Sequence, residues 1–160
     1  MGKRTDYFDD PAAPAANSLK PSAGCFVTDD QGRVLLIRRD DNGNWSMPGG
    51  AMDPGESLTG CAVRETREEA GVEVEVTGVG GIWTDPRHVI HYSSNDEVRQ
   101  EFTVIYRARY VSGEPSTSSE STSVEWVPAT DVPGLQLDRS QRLRLEWLLT
   151  HPAGTYHDPS

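Results

Sequence analysis

Three glutamates, Glu65, Glu68 and Glu69, stand at positions i, i+3 and i+4 of a stretch with the composition of a helix. From Ser57 to Ala70 there is no proline, one glycine and many helix formers; Ser57 is suited to cap the start and Gly71 to end it. A helix turns about 100° per residue, so the three carboxylates fall within an arc of about 100°. Like charges so placed oppose one another by roughly 0.2–0.5 kcal/mol per pair when solvated, and by more when partly buried. Two compensations are open: Arg64, which reaches Glu68 at i+4, and divalent cations. Taken alone, the three acids read as a solvated helix face laced by Arg64 and Arg67. The residues around them change that reading.

From Gly50 the chain fits the pattern G-x5-E-x7-R-E-U-x-E-E-x-G-U, where U is a bulky aliphatic, with Gly50, Glu56, Arg64, Glu65, Glu68, Glu69, Gly71 and Val72 all in place. This segment resembles the Nudix box, and Trp45-x-x-Pro48-Gly49-Gly50 is similar to the lead-in usual in that family. Thr66 departs from the pattern, standing where a bulky aliphatic is usual; its methyl is expected to pack under the helix beside Ala62 and Ala70. The resemblance implies an α/β/α sandwich with a mixed β-sheet and a catalytic helix at about 57–70. It also implies metal-dependent hydrolysis of a diphosphate in a small nucleotide.

The roles it implies fall on these positions. Glu68 and Glu69 are ligands to magnesium, with manganese as a substitute, and Glu65 is a third ligand or the base that deprotonates water. Gly50 offers its carbonyl to the cation, and Arg64 orients the glutamates, while Glu56 is an outer carboxylate of lower catalytic weight. A further carboxylate is expected from outside the box: Glu120, after Gly113-Glu114-Pro115, with Glu101 as competitor. Arg38, Arg39 and Arg87 are candidate phosphate contacts, and Glu101 is also a candidate in the substrate site. Two substrate classes stay open, a nucleoside diphosphate derivative such as ADP-ribose and a nucleoside triphosphate. A non-catalytic nucleotide-sensing module of the same family is the alternative, one expected to have lost box carboxylates.

Charge narrows the partners. Fifteen Lys and Arg against 25 Asp and Glu give a net charge of −10, which repels nucleic-acid polymers and anionic membranes. Residues 50–72 and 73–125 carry −3 and −5 of that excess. Cys25 and Cys61 have no C-x-x-C spacing and suggest a reducing, cytoplasmic setting. No signal peptide is expected, nor any membrane span, since no apolar run nears the ~20 residues a span needs.

Residues 1–21 are expected to form an irregular Pro/Ala-rich leader, 22–150 the folded domain, and 151–160 a tail. A leader of this kind could cross to a neighbour in a homodimer. Extended runs are expected at 23–28, 33–38, 72–83, 101–111 and 124–127, with a polar loop over 84–98. A second helix is expected from about Asp138 to Leu149, with Leu143, Leu145, Trp147, Leu148 and Leu149 on its apolar side.

Overall fold

In a computed structural model, residues 3–160 are described. The elements run β1 (Arg4–Phe8), β2 (Ser18–Leu19), β3 (Ser22–Thr28), β4 (Val34–Arg39), β5 (Trp45–Ser46), β6 (Gly49–Ala51) and α1 (Leu58–Ala70). They continue with β7 (Glu73–Trp83), β8 (His88–Tyr92), β9 (Glu97–Gln100), β10 (Thr103–Ser112), β11 (Ser121–Val127), a 3-10 turn (Val132–Gly134), α2 (Arg139–Thr150) and β12 (Tyr156–His157).

The main sheet follows from two runs that are apolar without interruption. In β3 and β4, Cys25, Val27, Leu35 and Ile37 point to one face, while Phe26, Val34 and Leu36 point to the other. Strands buried on both faces need cover on both faces. Helix α1 covers the first face through Cys61, Ala62 and Ala70, and α2 covers the second through Leu145 and Leu148. The result is the expected α/β/α sandwich, its sheet ordered β11-β4-β3-β10-β7-β12 with β5 and β6 paired to β4 and β3. The sheet is mixed, because β10 runs parallel to β3 and antiparallel to β7.

Helix α1 is bounded as its sequence predicts. Ser57 accepts the Gly60 N–H at 3.0 Å, and Gly71 closes the helix at φ 75°. That left-handed turn favours glycine, and a Cβ there would meet Ser116 Oγ at 2.1 Å. Thr66 lies fully buried with Ala62 and Ala70, and its hydroxyl is satisfied by the Ala62 carbonyl at 2.8 Å.

Three expectations need correction. The leader is not irregular throughout: Arg4–Phe8 pairs with β8 of the same chain, and Ser18–Leu19 pairs with β9. Nor is 84–98 a plain loop, since β8 and the start of β9 lie in it, pair as a hairpin and build a second sheet, ordered β1-β8-β9-β2. Its polar, weakly patterned strands hide a sheet whose partners lie some 80 residues apart. On α2, Leu143 is exposed and Arg144 is buried in its place, because Arg144 turns inward to an ion pair with Glu101.

Candidate active site

A cleft opens between the two sheets, with Gly49, Gly50 and Glu69 on one side and β8 and β9 on the other. The chemistry of the first side begins with Arg64. Its guanidinium grips Glu56 at 2.9 and 2.7 Å, donates to Glu65 Oε1 at 2.9 Å and to Glu68 Oε2 at 3.0 Å, and reaches the Ala51 carbonyl at 3.3 Å. One cation thus ties the box loop to the helix and fixes two of the three clustered acids. The Arg64 bonds hold the Glu56 carboxyl down at about 2. Glu56 therefore acts as a permanent anchor for Arg64.

Glu65 and Glu69 behave in the opposite way. Burial pushes the Glu69 carboxyl up to about 7; the charges of Glu65 and Glu120 add to the rise, while the Gly49 N–H, donating to Glu69 Oε2 at 3.0 Å, opposes it. Glu65 is also raised, by burial first, with Glu68 and Glu120 adding to the effect against Arg64. Two partly buried carboxylates whose burial outweighs the cations beside them are an environment a divalent cation would relieve.

The donor set also fits a hard cation. Glu65, Glu68, Glu69 and Glu120 would offer carboxylate oxygens and Gly50 its carbonyl, which accepts from Cys61 Sγ at 3.5 Å. A Cβ on Gly50 would sit 2.6 Å from the Glu65 carboxyl, so any larger residue there would have to push this acid aside. Among the described residues, no three acidic, histidine or cysteine side chains have converged into a ligand cluster. Glu68, 57% exposed, is held by Arg64 instead.

The outlying candidates divide. Glu120 precedes β11, its carbonyl accepts the Asp40 N–H at 3.0 Å, and its charge is felt at both Glu65 and Glu69. Arg39 lines the cleft, paired with Asp41. Arg38, the adjacent residue on the strand, is exposed and donates to the Gly43 carbonyl at 3.2 Å. Arg87 pairs with Asp85 and lines a different hollow beside Phe8 and Trp83. The structure therefore removes Arg38 and Arg87 from the cleft: strand alternation turns the first away, and a local ion pair holds the second elsewhere. Glu101 does line the cleft, but its carboxylate is 5% exposed and bound to Arg144, with His88 3.4 Å away. It is locked in a structural ion pair, in contrast to Glu120.

Sequence reasoning passed over Arg4 and Arg99, which form part of the cleft lining. Their signal is the alternation of short strands, which is visible only once β1 is paired with β8.

The NUDIX domain profile matches residues 18–148 of this chain. The chain belongs to the Nudix family. A MutT-like protein of Streptomyces ambofaciens is 36% identical over 110 residues, which are 69% of this chain and 64% of that protein. The chain thus spans less than two thirds of that relative. An ADP-ribose pyrophosphatase of Methanocaldococcus jannaschii is 22% identical over 121 residues, 74% of this chain and 68% of that one. Among solved structures, a MutT NUDIX hydrolase from Burkholderia pseudomallei superposes with a TM-score of 0.66 at 26% identity, covering 82% of this chain and 99% of that chain. The Nudix match begins after β1, so the first strand lies outside the matched residues.

Proposed function

We propose that this Nudix domain is a metal-dependent pyrophosphohydrolase that cleaves the diphosphate of a small nucleotide, a nucleoside diphosphate derivative or a nucleoside triphosphate, by attack of water on phosphorus. The observation that carries the proposal is Glu69: a carboxyl raised to about 7, on a cleft wall, amid further carboxylates. Glu65, Glu68, Glu69, Glu120 and the Gly50 carbonyl would hold magnesium, with manganese as a substitute. When bound, such an ion neutralises phosphate charge and lowers the pKa of water.

The chain's own groups do the rest. Arg64 restrains Glu65 and Glu68, so the helix presents its acids in a fixed arc. Of the carboxylates on this face of α1, one that the cation leaves free, Glu65 or Glu69, would take a proton from the attacking water. Arg39 stands beside Glu69 to steady the phosphate.

The non-catalytic reading is disfavoured because all the box carboxylates are in place. The test is a phosphate-release screen over ADP-ribose, dinucleoside polyphosphates, nucleotide sugars and nucleoside triphosphates, with product identification. Magnesium-dependent turnover of at least one class is expected; saturable binding with no turnover of any would favour a sensor.

A further inference from the structure

The wall of the cleft facing Glu69 is built by strands of the second sheet. Directly paired residues in an antiparallel ladder share a face. The register therefore sets Arg4, Tyr92 and Glu97 in one row and Asp6, Ile90 and Arg99 in the next. Arg4, Tyr92, Ile90 and Arg99 line the cleft, and Arg39 enters it from β4.

These three arginines are held in the same way. Each gives Nε and Nη2 to a carboxylate two residues away: Arg4 to Asp6 at 3.0 and 3.0 Å, Arg39 to Asp41 at 2.9 and 2.6 Å, Arg99 to Glu97 at 2.6 and 2.9 Å. Arg99 is steadied further by the Tyr92 ring, 4.5 Å below it. In each case Nη1 has no hydrogen-bond partner among the described residues. All three residues line the same cleft. Guanidiniums that line one cleft from both sheets, each with a donor left over, form a receptor for an anion. Their paired acids keep the wall nearly neutral, so recognition depends on directed donors and not on bulk charge.

We propose that Arg4, Arg39 and Arg99 form a subsite for an anionic group carried beyond the nucleoside diphosphate, so that the substrate ends in a further phosphate and not in a neutral sugar. This rests on the proposed function, for it places the diphosphate at Glu69. It assigns a recognition role to β1, which precedes the Nudix match. Arg39, the member nearest Glu69, would meet the phosphate adjoining the diphosphate, with Arg4 and Arg99 further along the wall.

ATP and ADP-ribose separate the choices, because they share ADP and differ in a terminal phosphate against a neutral ribose. Their dissociation constants can be measured by calorimetry without divalent metal, where hydrolysis plays no part. The wild-type protein is expected to bind ATP at least tenfold more tightly than ADP-ribose. In the Arg4→Gln/Arg99→Gln double variant that ratio should collapse to about twofold. Arg109→Gln, which removes an exposed cation on β10, is the control that keeps the ratio. Equal affinities in the wild type, a ratio preserved in the double variant, or no binding of either ligand would overturn the subsite. A preference for ATP that the double variant loses, without turnover of any diphosphate, would keep the subsite and refute the hydrolase reading.

Discussion

The two walls of the cleft are made in opposite ways. The acidic wall, which meets the cleft at Glu69, comes from one continuous stretch, Gly50 to Val72, in which helical spacing sets Glu65, Glu68 and Glu69 on one arc and a single arginine ties the first two to the preceding loop. The facing wall is assembled from Arg4–Phe8, His88–Tyr92 and Glu97–Gln100, joined only by strand register. Chemistry that needs a few atoms in a fixed arc can be written locally. Recognition that needs donors spread over a substrate's length is written across the chain.

If that division is right, substitutions on the acidic wall should change turnover, and those on the facing wall should change selectivity and stability. The largest effect is expected for Glu69→Gln, which should lower kcat by roughly 10³-fold with the fold retained, read by phosphate release and circular dichroism. Next is Glu101→Ala, which leaves Arg144 charged and unpaired at 8% exposure and should cost about 3 kcal/mol in urea unfolding. Gly50→Ala should keep the fold but push the Glu65 carboxyl aside, raising the magnesium concentration needed for half-maximal rate by about tenfold, or ~1.4 kcal/mol.

The smallest effect concerns the docking of β1. Burial opposes charge on both His88 and Asp6, but their acidic and basic partners prevail: Asp6 is lowered from 3.8 to about 2, and His88, hydrogen-bonded to Asp6 and 3.4 Å from the Glu101 carboxylate, is raised above 6.5. A lowered acid stabilises above its unfolded value, and this contribution is lost as pH falls toward 2; a raised histidine stabilises below 6.5, and its contribution is lost as pH climbs through the raised value. Asp6→Asn should therefore cost about 1 kcal/mol between roughly pH 4 and 6.5, and less on either side. A cost independent of pH would show that Asp6 matters through packing.

What could be read from the sequence follows the same division. The caps of α1, its buried Ala62, Thr66 and Ala70, and the double-faced apolar runs of β3 and β4 are local patterns, and they predict the helix and the sandwich. The second sheet was not legible, because RTDYF and HVIHY carry polar residues on both faces and pair across some 80 positions. Arg144 is the sharpest case. A charged residue in an amphipathic helix reads as solvent-facing until its buried partner, Glu101, is known. Spacing brought Arg39 into view along with Arg38, but only strand alternation separates them.

The central claim is that the acids of α1 form a cation site that drives diphosphate hydrolysis. The most direct measurement is the rate of phosphate release from a nucleoside triphosphate and from ADP-ribose after chelation, followed by stepwise return of magnesium to millimolar levels. No turnover in chelator and a saturable recovery with magnesium are the predicted results. Hydrolysis at an undiminished rate in the metal-free protein would contradict the account.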